Sequence, residues 1–205
     1  MNIVTSAPAR RNPGEPVANA DTSQRILDIA ERLVQTRGFN GFSYADIADA
    51  LKVTKASLHY HFPAKADLGQ QLIERYERSF LAVLQRIDDE SKDAREKLRR
   101  YAAIYRDVLD NNRMCLCGML AAEFATLPKP MREDVRHFFD ENERWLVAVL
   151  QEGKRERSLR FTGTAAQVAQ TLLGALEGAM MIARSYGDIA RFEAACERLL
   201  GDLEA

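Results

Sequence analysis

Apolar residues recur every three or four positions along almost the whole chain, and strict alternation governs no segment of it. Met131, Val135, Phe138, Asn142, Trp145 and Val149 show the pattern most plainly, stepping by four, three, four, three and four. An α-helix turns once in 3.6 residues, so such a series lines one face. A strand would need a period of two. The spacing therefore predicts an all-α fold: a small three-helix N-terminal unit followed by a larger helical bundle. Start and stop signals place the helices at about 22–38, 43–51, 54–61, 65–88, 93–111, 116–126, 130–155, 164–186 and 188–203. Gly38 is a natural stop, Ser43 with Asp46 resembles a capping box, and Thr54 can cap the third helix. Pro63 ends that helix, and Pro130 opens a later one without losing a bond.

Three of the six prolines fall within residues 1–20, which are expected to form a flexible arm. Arg10 and Arg11 in it are expected to be solvated charges. Residues 21–68 form the small unit and 69–205 the bundle. No internal repeat or low-complexity tract follows residue 20. The most apolar region, 165–183, is broken by Gln167, Gln170, Thr171 and Glu177, whereas a membrane span needs about 20 predominantly apolar residues. Three cysteines among 205 residues do not form a disulfide framework, and the expected setting is a reducing cytoplasm without membrane association. The net charge is −1, from 29 basic and 30 acidic residues, so a polyanion must be met by a local patch.

One such patch is TKASLHYHFPAKADL, residues 54–68. His59 and His61 suggest a metal, but helical residues two apart point about 200° away from each other. A zinc helix uses positions i and i+4, so no metal site is expected here. A short surface helix offers no catalytic pocket for Ser57 and His61 either. Leu58 and Phe62, four apart, should face inward. Lys55, Ala56, Ser57, His59 and Tyr60 are left outward, and no acid occurs between residues 50 and 66. Two short helices joined by a tight turn form a helix-turn-helix, whose second helix enters the DNA major groove. Lysines neutralise phosphates, and hydroxyls and imidazoles can bond phosphates or base edges.

These residues resemble the N-terminal DNA-binding domain of the tetracycline-repressor (TetR) family of transcriptional regulators, over about residues 22–68. The elements of the resemblance are Gly38-Phe39, Ser43 with Ile47-Ala48, Val53-Thr54, Leu58 through Phe62, and Lys65 with Leu68. Position 52, usually glycine in that family, is Lys52, and position 59, usually tyrosine, is His59. The resemblance implies that Ser43 holds a phosphate at the start of the second helix. Lys55, Ala56, Ser57 and His59 would approach bases or backbone, and Tyr60 and His61 would pack on the sugar-phosphate. Lys65 would take a further phosphate. Lys52 and Thr54 in the turn complete the expected contact set.

The resemblance also implies a second domain for ligand binding and dimerisation. Small residues crowd the last two helices, with Gly174, Ala175 and Gly178 among them. With Leu172, Phe192 and Leu199 they suggest a four-helix interface of a homodimer, which would read a palindromic operator in double-stranded DNA. Candidate ligand-lining residues are Tyr101, Tyr105, Cys117, Met119, Glu123, Phe124, Phe138, Trp145, Glu177 and Met181, with Met180 beside them. Either glutamate could fix a polar or cationic group of an unidentified small molecule. The expected activity is a ligand-released repressor, not an enzyme, with no cofactor. Two alternatives stay open. Cys115 and Cys117 could sense oxidants or electrophiles if a thiol had a lowered pKa and access. Alternatively, the chain could be a helical small-molecule-binding protein with no role on DNA.

Overall fold

The computed structural model describes residues 15–204, with side chains from residue 21 onward. The arm, with Arg10 and Arg11, lies outside the described residues up to position 14. Nine α-helices are described: α1 Glu15–Arg37, α2 Tyr44–Leu51, α3 Lys55–His61, α4 Lys65–Glu90, α5 Ala94–Asp110, α6 Leu116–Ala122, α7 Lys129–Glu156, α8 Ala165–Tyr186 and α9 Ala190–Gly201. A 3-10 turn, Phe124–Thr126, follows α6, where one helix over 116–126 is expected. Helix α1 starts seven residues earlier than its expected position, so it takes in the last six residues of the predicted arm. Pro16 is no obstacle there, because a proline in the first turn gives up an N–H with no partner in the helix.

The small unit is built on α1, whose Ile26, Leu27, Ala30 and Val34 are buried. Ile47 and Ala48 of α2, Leu58 of α3 and the rings of Phe39, Phe42 and Phe62 close over them. Gly38 takes φ +84°, a left-handed conformation open to glycine at little cost. Helix α4 belongs to both parts of the molecule. At 26 residues it spans about 39 Å. Its Leu68 and Leu72 lie near the small unit, and its Phe80, Leu84 and Ile87 are buried further along toward the bundle.

The bundle surrounds α7, which packs on α4, α5 and α8, while α8 packs in turn on α9. The seam expected along α7 is buried at Met131, Val135, Phe138, Asn142 and Val149, with Trp145 half-buried. Asn142 is fully buried and is satisfied. Its Oδ1 accepts from the Tyr101 hydroxyl (3.0 Å), and its Nδ2 donates to the Phe138 carbonyl (2.8 Å). A buried amide left without these partners would be costly.

Candidate nucleic-acid interface and the helix behind it

Helix α2 starts at Ser43, whose N–H and hydroxyl both donate to the Asp46 carboxylate (2.8 Å each). The Ser43 N–H bond is the main reason the Asp46 carboxyl is held below its ordinary pKa. Ser43 was expected to hold a phosphate at the start of α2. Here the hydroxyl is already donated to a carboxylate, which corrects that role. Lys52 ends α2 at φ 56°, ψ 44°, left-handed. A side chain in that region costs about 1–2 kcal/mol relative to the right-handed form, so the turn is held by its surroundings. The Val53 N–H closes the turn on the Ala48 carbonyl (3.0 Å), and the Thr54 hydroxyl accepts the Ser57 N–H.

Helix α3 is fixed from below. Leu58 is 0% and Phe62 1% exposed, as their spacing requires. The Tyr44 hydroxyl donates to the Phe62 carbonyl (2.8 Å). Facing outward are Lys52, Thr54, Lys55, Ala56, His59 and Tyr60, with Ser57 and His61 half-buried. Tyr60 is 74% exposed, a large ring set edge-on to His61 (centroids 5.4 Å apart). His59 leans on the Tyr44 ring (centroids 4.8 Å apart), and its Nδ1 lies 3.1 Å from the Pro63 carbonyl. A carbonyl only accepts, so Nδ1 carries the hydrogen and Nε2 is the atom left for a partner. A cleft of about 430 Å³ between α2 and α3 is lined by Ser43, Lys55 and His59 among others.

Lys65 departs from expectation. Its ammonium donates to the carbonyls of Phe39 and Phe42 and sits over both rings, 4.6 and 4.1 Å from their centroids. Burial lowers its pKa. The side chain ties α4 to the loop before α2, and it leaves the set of phosphate contacts.

Helix α6 holds this unit against the bundle from both of its ends. Just before it, the Met114 N–H donates to the Gln35 carbonyl (3.1 Å). Just after it, the Glu123 carboxylate accepts the N–H groups of Phe39 (2.6 Å) and Asn40 (3.2 Å). Glu123 was expected to meet a ligand; it meets backbone donors instead. Arg184 of α8 donates to the carbonyls of Gln35 and Thr36 (2.8 Å each). Those carbonyls lie in the last turn of α1, where helical acceptors lack partners and a cation is favoured. Sequence reasoning missed Arg184 and Met114, because both bonds span about 80 residues or more.

The other candidate ligand residues divide into groups. Tyr101 bonds to Tyr105 (3.0 Å) and stacks on Trp145 (5.4 Å, 23°), whose indole N–H donates to Asp88 (2.8 Å). Phe138 is buried against the rings of Tyr76 and Phe80 (centroids 5.6 and 5.2 Å away), Cys117 is buried in α6, and Met119 is half-buried. Phe124 lies under the Arg136 guanidinium, 4.8 Å from its centre, toward the surface. Met181 is 55% exposed, so it lines no interior pocket. Glu177 is half-buried as a residue, but its Oε1 is shut off from solvent without a partner. Burial pushes its carboxyl up to about 7.

The thiol-sensing alternative needs an accessible thiol with a lowered pKa. Cys115 and Cys117 are 1% and 0% exposed, and burial, followed by the nearby Glu177, pushes both thiols up. Neither condition is met.

The outer face of α8 carries Thr171, Gly174, Met181, Ile182 and Ser185, with Gly178 half-buried among them. A Cβ built on Gly174 or Gly178 meets nothing within 4 Å. Ala175 and Leu199 are half-buried. Leu172 and Phe192, expected at a subunit interface, are 3% and 1% exposed within this chain. They are core residues, and Met181 and Ile182 hold the outward positions instead. Among the described residues no helix is long and apolar enough to cross a membrane, and no group of three His, Cys, Asp or Glu could hold a metal.

Comparison with known proteins adds to this geometry. The profile of the bacterial regulatory proteins of the tetR family matches residues 26–72, and that of the tetracyclin repressor-like C-terminal domain matches residues 80–199. A TetR-family transcriptional regulator from Agrobacterium tumefaciens is 33% identical; the match covers 91% of this chain and 100% of that one, with a TM-score of 0.89. A TetR regulator from Legionella pneumophila is 34% identical, covering 89% and 97% of the two chains with a TM-score of 0.82. The nucleoid occlusion factor SlmA of Vibrio vulnificus is 27% identical over 152 residues, 74% of this chain and 78% of that protein.

Proposed function

The chain belongs to the tetR family of bacterial regulatory proteins, and from that premise we propose a ligand-responsive repressor that binds a palindromic operator as a homodimer. The observation that carries this reading is the acid-free strip on α3. It presents Lys55, Ala56, His59 and Tyr60 to solvent on a helix anchored by Leu58 and Phe62. Lys52 and Lys55 neutralise phosphates, and Thr54, Ser57, His59 and Tyr60 approach bases or sugar-phosphate. Two copies paired through the outer face of α8 with α9 would set two such helices at a fixed separation, which is what a two-fold-symmetric operator demands. The protein acts on DNA in the cytoplasm and turns over no substrate.

Release follows from differential binding. A small molecule that binds better to a form with the wrong spacing between recognition helices lowers DNA affinity by that preference. Helix α6 is suited to transmit it, because Met114 and Glu123 tie its two ends to α1 and to the loop after α1. The test is Lys55→Ala. Each protomer loses one phosphate contact, so a dimer loses two. The slope of log affinity against log salt should become shallower by about 1.8, at about 0.9 per contact. An unchanged slope would show that this face does not meet DNA.

A further inference from the structure

We propose that Glu177 anchors the effector site, and that the effector is an organic cation seated between α8 and α6. This rests on the ligand-responsive reading above and adds the chemistry of the ligand. Glu177 Oε1 is closed off from solvent, and no donor among the described residues reaches it. Each element packed around the carboxyl offers groups that leave it unneutralised. Helix α6 brings Cys115 and Cys117, α5 brings Tyr101 and Tyr105, and α4 brings Tyr76, all coupled to Glu177 electrostatically. The charged groups next beyond, Glu77 and Asp134, act on Cys117 and are acids. Arg184, two turns along α8, is spent on the carbonyls of Gln35 and Thr36. The Cys115 thiol hydrogen-bonds the carboxylate yet leaves Oε1 unpartnered, so the site still lacks a positive charge and a donor to Oε1. A bound ammonium or amidinium supplies both, and the phenol rings favour a cation further.

The seat also explains how binding reaches DNA. Gly118 of α6 lies against this carboxylate: a Cβ added there would sit 2.4 Å from Glu177 Oε2. A hydrogen-bonded ligand nitrogen needs about 2.7–2.9 Å to a carboxylate oxygen. An ammonium entering at Glu177 must part α6 from α8, and α6 is the helix that grips the DNA-binding unit through Met114 and Glu123. Binding is expected to strengthen from pH 6 to pH 8. In that range Glu177 ionises, while the cysteine and tyrosine groups facing it, all pushed up, stay protonated.

Two arms test this on the full-length protein. In the first, thermal unfolding without DNA is followed at pH 8 with equal concentrations of benzylamine, benzyl alcohol or benzoate. The expected result is the largest rise in melting temperature with benzylamine, and loss of that preference in Glu177→Gln. Equal stabilisation by the alcohol or by benzoate, no stabilisation by benzylamine, or a preference that survives in Glu177→Gln would overturn the site. This arm is independent of any operator, so its failure is separate from failure of the repressor reading. In the second arm Gly118→Ala places a permanent wedge against Glu177. Alanine favours the helix more than glycine does, so α6 itself is not weakened. The variant is expected to bind DNA selected by the wild-type protein about tenfold or more weakly. Gly118→Ala with Glu177→Ala removes the clash and is expected to restore binding. Wild-type affinity in the single variant, or no restoration in the double variant, would overturn the wedge.

Discussion

Replacing Glu177 by glutamine should change how the stability of the protein depends on pH, by an amount the structure sets. The carboxyl is pushed from its ordinary 4.5 up to about 7, chiefly by burial. A folded pKa above the unfolded value means that the native state holds the proton more tightly. The stabilising contribution is complete below pH 4.5 and is lost as pH rises through about 7. Two and a half units at 1.36 kcal/mol each give a total of about 3 kcal/mol. Between pH 5 and pH 8 the portion lost is about 2.5 kcal/mol per protomer. Glutamine has no proton to lose and retains the shape. In urea unfolding at both pH values, the stability of Glu177→Gln relative to wild type should therefore rise by about 2.5 kcal/mol from pH 5 to pH 8. A difference that stays level between the two would mean the carboxyl is solvated or paired, and the reasoning about its burial would fail.

Lys52→Gly should stabilise the protein by up to about 1 kcal/mol in urea unfolding, because φ 56° suits glycine. The same change should weaken DNA binding at low salt by removing a phosphate contact; a loss of stability would show that Lys52 is not strained. At position 59 glutamine places an amide where Nε2 lies, and asparagine places one where Nδ1 lies. His59→Gln should keep more sequence preference than His59→Asn in binding assays, with about 1–3 kcal/mol at stake for a lost base contact. The reverse order would contradict the assignment of Nδ1 to Pro63. With a maleimide under native conditions, half-buried Cys196 should label well before Cys115 and Cys117. DNA binding by the wild type after mild oxidant treatment should match that of a Cys115→Ser, Cys117→Ser double variant. Rapid labelling at position 115 or 117 with loss of DNA binding would revive the thiol reading.

Much of the fold could be read in the sequence, because helices carry their signals locally. Leu58 and Phe62 point inward because they are four apart, Gly38 stops α1, Pro63 stops α3, and the α7 seam follows the helical period. The start of α1 was less legible, since prolines that look like a linker are tolerated in a first helical turn. Site residues were legible in their placement where helical spacing decides it, as for Lys55 and Tyr60, which face outward. They were not legible where a long side chain finds a distant partner. Lys65 spans 26 and 23 residues to reach the Phe39 and Phe42 carbonyls, and Glu123 reaches back 84 to Phe39. Nothing near those positions announces the contact. Helix α8 failed differently: it is apolar on several sides, so periodicity could not tell Leu172, which faces its own core, from Met181, which faces out.

The most direct measurement is to select genomic fragments with the purified protein and footprint the preferred one. The expected result is protection of a two-fold-symmetric site whose half-sites are spaced by one helical turn of DNA or a multiple of it. Protection should disappear with Lys55→Ala and His59→Ala together. Binding without sequence preference, an asymmetric site read by a single copy, or a footprint indifferent to those two substitutions would contradict the claim that α3 is the recognition helix of a dimeric repressor.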